Sequence, residues 1–291
     1  MFPLSLLFGF YFVQFSSAFF GTGGIFGHVL RYQKLCLCRC GVSGVTQFPD
    51  SFSNVRLLDG QSVSPHQFPW LASIKIDNRT IAGALISDKH VLTAASPLYG
   101  IPPNRVSVTL GLHDGCTRNP ALSSSIETVI LHSAYVSGYS YNDIALLRLR
   151  HVVPFSQFIS PICMPDFRTL ESDQVASTLS WKWAPNSVSC TPRVATLPIL
   201  PVWTCLLNRN SDTITPNKGC LGPLGIKSIV CEDDVGAPVM SRQPYSSSFR
   251  LVGVVTTANC DHTSAPYYTK VAYHAAWIYE QIRDDCQCFS I

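Results

Sequence analysis

The sequence predicts an all-β fold, a barrel or sandwich of short strands with one C-terminal helix packed against it. Two observations carry this. Short apolar, β-branched runs recur along the chain with Pro and Gly between them, the pattern of many short strands joined by tight turns. Near the C-terminus the period changes. Val271, Ala275, Ile278 and Ile282 recur at three- and four-residue spacing, which places them on one face of a helix.

The strands can be read individually. Val106-Ser107-Val108-Thr109-Leu110 alternates with period two, as a strand with one buried face does. Ile126 to Leu131, Ile144 to Leu149 and Leu251 to Thr256 are apolar and β-branched, which suits a pleated, half-buried surface. Residues 19–56 are Gly-, Ser- and Cys-containing without a clear period and read as a pro-segment or linker. No internal repeat or low-complexity tract is present.

Composition bounds the function. The chain has 291 residues and a hydrophobic fraction of 46%, enough for a sizeable core and incompatible with a disordered chain. Charged residues make up 13%, about half the usual quarter. The formal charge of +3 and the lack of any Lys/Arg-rich run argue against a nucleic-acid or membrane-surface binder. Twelve cysteines show no zinc-ligand spacing, so we expect no metal and no cofactor. Disulfides formed in an oxidising compartment are the better reading. Leu4 to Phe15 is an apolar run followed by Ser16-Ser17-Ala18, as in a signal peptide over residues 1–18. A retained anchor is the alternative, but Arg31 and Lys34 follow the apolar stretch, which disfavours an outward-facing domain. The protein is therefore expected to be secreted, without a membrane role.

Seven segments then line up in order. They are Phe68-Pro69-Trp70, Gly83-Ala84-Leu85-Ile86-Ser87, Val91-Leu92-Thr93-Ala94-Ala95, Asn142-Asp143-Ile144-Ala145-Leu146-Leu147, Pro161-Ile162-Cys163-Met164-Pro165, Cys231-Glu232-Asp233-Asp234-Val235-Gly236-Ala237-Pro238 and Tyr268-Thr269-Lys270-Val271. Over residues 57–285 the chain resembles the chymotrypsin/trypsin-type serine proteases. The resemblance implies two antiparallel six-stranded barrels with a cleft between them.

Departures from the family pattern fall on the chemistry. Where the family has Thr-Ala-Ala-His-Cys, this chain reads Thr93-Ala94-Ala95-Ser96-Pro97; where it has Gly-Asp-Ser-Gly-Gly-Pro, this chain reads Asp233-Asp234-Val235-Gly236-Ala237-Pro238. The resemblance thus puts Ser96 at the general base, Val235 at the nucleophile, and leaves Asp143 alone of the triad. Asp233 falls on the oxyanion-hole glycine, Ile229 on the floor of the specificity pocket, and Thr256-Thr257-Ala258 on one of its walls. For Asp143 a structural role is expected, as acceptor for nearby amides, for the hydroxyl at Thr256, and for Ser96. The eight histidines cluster with no Cys or Asp in a motif and read as surface or loop residues, with His90 in the strand before Ser96 facing elsewhere.

The resemblance also implies disulfides Cys40–Cys163, Cys205–Cys220 and Cys231–Cys260. Family bridges that would need cysteine at Ala82 and Pro97, or at Ser177 and Ser241, are lost at both ends. Cys36, Cys38, Cys116, Cys190, Cys286 and Cys288 are left unassigned; full pairing, reactive thiols and a partner chain all stay open. In the resemblance, Arg56-Leu57-Leu58-Asp59-Gly60 aligns with the activation site and Asp234 with the carboxylate that captures the freed amino terminus; either cleavage after Arg56 docks Leu57 on Asp234, or the site is an unused relic. Asn78-Arg79-Thr80 is an N-glycosylation acceptor.

These residues predict a secreted, catalytically dead protease homologue that acts by binding an unidentified protein partner. Two alternatives stand beside it: a decayed product without a selected role, and a residual hydrolase, for which no base and nucleophile can be found together.

Overall fold

The computed structural model describes residues 35–44, 61–117, 122–165, 175–184, 187–206, 215–222, 230–231, 234–243, 246–258 and 265–289. Two closed six-stranded antiparallel barrels account for most of them. The first contains β3 (Leu71–Ile76), β4 (Arg79–Leu85), β5 (His90–Thr93), β6 (Val106–Leu110), β7 (Leu122–Leu131) and β8 (Ala145–Leu149), and closes in the order β3-β4-β5-β8-β7-β6. The second contains β9 (Val175–Ala184), β10 (Ser187–Leu200), β11 (Lys218–Leu221), β12 (Pro238–Arg242), β13 (Phe249–Thr257) and β14 (Tyr267–Lys270). Its run β11-β14-β13-β12-β9-β10 closes through a β10–β11 pairing, and the short β2 (Gln61–Ser62) adds to β10. A single helical turn, α1 (Val202–Leu206), follows β10.

Local chemistry explains the elements. β3 and β4 form a hairpin in full register from Leu71↔Ala84 to Ile76↔Arg79. The turn is Asp77-Asn78, with Asp77 at φ 50°, and Asp and Asn are the side chains that tolerate this conformation in a tight hairpin turn. In β6, Val106, Val108 and Leu110 are buried while Ser107 and Thr109 are half-buried, the period-two pattern expected from the sequence. At the C-terminus, a 3-10 turn over Val271–His274 leads into α2 (Ala275–Gln281). Val271, Ala275, Ile278 and Ile282 are all fully buried, so the helical stripe packs onto the barrels as predicted.

The barrels share one continuous core. Phe68 and Trp70, leading into β3, meet Phe249 at the start of β13 with ring centroids 5.6–5.7 Å apart, which joins the two halves by tilted and edge-to-face packing. Within the second barrel the buried Tyr268 ring lies over Gly219 and Gly253, where any Cβ would collide with it.

Within the stretch read as a pro-segment, Leu35–Arg39 forms a strand, β1, that pairs in parallel with β15 (Gln287–Phe289). Five disulfides join described residues: Cys36–Cys286, Cys38–Cys288, Cys40–Cys163, Cys116–Cys190 and Cys205–Cys220. The six cysteines that sequence reading left open are thus paired within the chain. Cys231 is also disulfide-bonded; Cys260, its expected partner, lies outside the described residues, as do residues 1–34, Arg56, Leu57, Ile229 and Asp233. No helix among the described residues is long and apolar enough to cross a membrane. Ser177 and Ser241, at the ends of a missing bridge, sit on adjacent strands. Ser177 shares a hydrogen bond with Thr196 (2.9 Å), and Ser241 accepts one from Arg250 Nε (3.2 Å).

Candidate functional site at the junction of the barrels

Strand β5 ends at Thr93, and the chain turns through Ala94 and Ala95 into a 3-10 turn at Ser96–Leu98. The first amides of such a turn have no partner within it. Here the Ala95 and Ser96 N–H groups both donate to Asp143 Oδ1, at 2.6 and 2.7 Å. The Ser96 hydroxyl also bonds this carboxylate. Asp143 precedes β8 and follows Asn142, which holds the left-handed φ of 50°. At 1% exposure the Asp143 carboxyl is pushed above its usual range by burial; the Ser96 and Ala95 hydrogen bonds and the Lys218 charge act in the opposite direction. Lys218 is itself buried, donates to Ser140 Oγ, and holds its ammonium 5.4 Å from the Tyr141 ring centroid.

The second barrel contributes the turn Asp234-Val235-Gly236-Ala237. Gly236 adopts φ 95°, a conformation that disfavours any side chain. Its N–H donates to Val255 O (2.8 Å), and Val255 N–H donates to Ala237 O (2.9 Å). A Cβ at Gly236 would collide with the Thr93 hydroxyl and the Ala82 carbonyl. The turn therefore packs directly on the strands of the first barrel, against the end of β5 that leads to Ser96. Val235 is half-buried in this turn, and Ser96 is exposed. Asp234 is 1% exposed and accepts the Cys231 N–H at Oδ2 (2.7 Å).

Two expectations need correction. The Thr256 hydroxyl does not reach Asp143; it donates to Tyr267 O at 3.4 Å. Strands β13 and β14 shift register between Val255 and Thr257, and the shift leaves the hydroxyl beside a backbone carbonyl. Nor are all histidines surface or loop residues. His90 is 1% exposed and donates from Nδ1 to Asp285 Oδ2 (2.5 Å), an oxygen that also accepts the Ser87 hydroxyl (2.6 Å). This pairing with the C-terminal tail holds His90 in the first barrel away from Asp143, whose hydrogen-bond partners are Ala95 and Ser96.

A second histidine cluster supports the Asp143 loop. His274 is buried with its ring edge-to-face on His132 (4.8 Å), and His132 also meets Trp277 (4.9 Å). Asn217 Nδ2 lies 3.5 Å from His274 Nε2 and donates to Asn142 Oδ1 at 3.0 Å, so the cluster reaches the residue beside Asp143. Burial, and then the neighbouring His132, lower the His274 pKa from 6.5 to about 4. A lowered histidine pKa supplies stability that is present above 6.5 and lost as pH falls toward about 4, because the unfolded chain takes up the proton first. A gap of this size is worth roughly 3 kcal/mol for a fully enclosed ring. Solvent screening at the ring edge brings the expected loss to about 1–2 kcal/mol. Urea unfolding at pH 7 and pH 4.5 should show this loss in the wild type and a smaller one in His274→Gln; equal losses would contradict the assignment.

Asp114, Cys116 and Cys190 bring potential metal-ligand atoms together, but both sulfurs are in a disulfide, and Asp114 Oδ1 accepts the Cys116 and Thr117 amides of its own turn. These residues do not fit a metal ion.

Comparison with known proteins agrees with this architecture. The trypsin family model matches residues 57–278. The chain is 29% identical to a CLIP domain-containing serine protease B9 of Anopheles gambiae over 84% of its length, and covers 65% of that protein. It is 29% identical to the human transmembrane protease serine 5 (79% of this chain, 52% of the relative) and 30% identical to the human hepatocyte growth factor activator serine protease (80% and 37%). The chain thus spans less than two thirds of the length of each of these relatives. With two six-stranded barrels, a turn of the second packed against the strand ends of the first, and a family match across both, this chain belongs to the trypsin family.

Proposed function

We propose that this protein is a secreted, catalytically inactive member of the trypsin family that acts by binding another protein. The observation that carries the reading is the set of groups around Asp143. In a working triad this carboxylate orients an imidazole, which takes the proton of a serine hydroxyl. Here it binds two amides and the Ser96 hydroxyl. A hydroxyl is not a base near pH 7, and the aliphatic side chain of Val235 has no lone pair with which to attack a carbonyl. A negative charge at Asp233 would further oppose an oxyanion. The retained fold still presents many loops on a rigid scaffold, and binding can persist in those after catalysis is lost.

The same reading covers processing. Residues 1–18 would be removed as a signal peptide, Asn78 in the exposed β3–β4 turn would carry a glycan, and cleavage after Arg56 would free Leu57 to pair with buried Asp234. N-terminal sequencing and glycosidase treatment of secreted protein test these points. Secreted, folded material should also hydrolyse no peptide in a broad library and should bind a partner saturably. Turnover that follows this chain through purification would favour residual hydrolysis; failure to fold and be secreted would favour a decayed product.

A further inference from the structure

Strands β1 and β15 form a two-stranded ribbon that links the two ends of the domain. Its rungs are Cys36–Cys286 and Cys38–Cys288, with Cα–Cα distances of 5.4 and 4.8 Å and a sequence separation of 250 residues each. A third bridge, Cys40–Cys163, fastens the base of β1 to the barrels. Around it, Gly41 N–H donates to Pro161 O and Phe249 N–H donates to Gly41 O, both at 2.8 Å.

Little apolar burial holds the ribbon itself. Leu37 is fully exposed and Phe289 is 49% exposed. The base of the tail is anchored separately, by Asp285 to Ser87 and His90, and by the Cys286 N–H to Asp88 Oδ1 (2.8 Å). Beneath the ribbon lies a pocket of about 100 Å³ whose lining includes Ile86, Ile162, Met164, Tyr279, Ile282 and Cys288. The four rung cysteines are half-buried, whereas Cys40, Cys163, Cys205 and Cys220 are at most 4% exposed.

Access to sulfur is one determinant of the rate of thiol–disulfide exchange. We propose that the ribbon is a thiol-exchange clasp: a dithiol reductant opens its two rungs while Cys40–Cys163 and Cys205–Cys220 stay closed. In each rung a reductant thiolate attacks one sulfur, and the other leaves as a thiolate and takes up a proton. The second thiol of the reductant then resolves the mixed disulfide. Each rung gains two electrons and two protons, and the dithiol becomes a disulfide. Opening releases β1 from β15 at the edge of this pocket, where Gln287 and Cys288 form part of the lining. The N-terminal segment stays tethered at Cys40, and the tail stays anchored at Asp285.

Graded dithiothreitol under native conditions, followed by alkylation and peptide mapping, tests this. Cys36, Cys38, Cys286 and Cys288 should become alkylated at about tenfold less reductant than the four buried cysteines require, with the far-UV circular dichroism of the two barrels retained. The exposed Cys116–Cys190 bridge serves as an internal standard for an accessible disulfide. Opening of the rungs no earlier than the buried bridges, or loss of the β signal as the rungs open, would overturn the proposal. In a second measurement, Cys36→Ser/Cys38→Ser/Cys286→Ser/Cys288→Ser should be secreted with barrels of wild-type spectrum. A misfolded variant would instead make the rungs a condition of folding and overturn it too.

Discussion

Replacing Asp143 with alanine is expected to destabilise the protein by about 2–4 kcal/mol, and replacing it with asparagine by less than half as much. The alanine variant strands two amides, Ala95 and Ser96, which donate to one carboxylate oxygen in a site that is 1% exposed. Each buried donor left without an acceptor costs about 1–3 kcal/mol. Asparagine keeps an oxygen for both amides, and its new N–H₂ can donate to the Ser96 hydroxyl. Both variants should also differ from the wild type in pH dependence. Burial raises the folded-state pKa of Asp143 above its ordinary 3.8. Stability from this group is therefore fully present below about 3.8 and lost as pH rises through the folded value. The asparagine side chain does not titrate, so the wild-type advantage over Asp143→Asn should shrink across that window. The His274 effect has the opposite sign. Urea unfolding at several pH values separates them; alanine and asparagine variants of equal stability would mean that the carboxylate is not the acceptor that holds the Ser96 turn.

Asp285→Ala is expected to lower stability by about 3 kcal/mol, because it strands two buried hydrogen-bonding groups at about 1–3 kcal/mol each. For a domain of this size that is a fall in Tm of roughly 6–12 °C. Asp285 Oδ2 is the shared acceptor for Ser87 and His90, and both would remain buried without it. Because Ser87 Oγ also accepts the His90 amide at 2.9 Å, the three residues form one network. His90→Leu and Asp285→Ala should therefore combine to less than the sum of their separate effects. Additive losses would show that His90 and Asp285 do not stabilise each other.

The parts of this fold that could be read from the chain are those coded by local period. The alternation at Val106–Leu110 and the stripe at Val271, Ala275, Ile278 and Ile282 each appear as the expected burial pattern. What escaped depends on partners distant in sequence. His90 meets Asp285 across 195 positions, and no local pattern announces a buried hydrogen-bonded pair of that separation. The β1–β15 ribbon does carry a local signal. Cys36, Cys38 and Cys40 alternate with period two, Cys286 and Cys288 share the same spacing, and matched spacings suit the rungs of a ladder between two strands. At the junction of the barrels, the resemblance located Asp143, but it could not foresee the register shift beside Thr256. Side-chain direction in a sheet follows register, and a shift of one residue is enough to redirect a hydroxyl.

The proposed inactivity rests on Ser96 and Val235 standing where a general base and a nucleophile would be needed. Its most direct test is fluorophosphonate labelling of the purified, secreted protein before and after treatment with a trypsin-like activator, with the labelled peptide mapped by mass spectrometry. No residue of this chain should carry label under either condition. A label that maps to this chain and blocks hydrolysis of a peptide substrate would reveal a nucleophile elsewhere in the cleft and overturn the proposed inactivity.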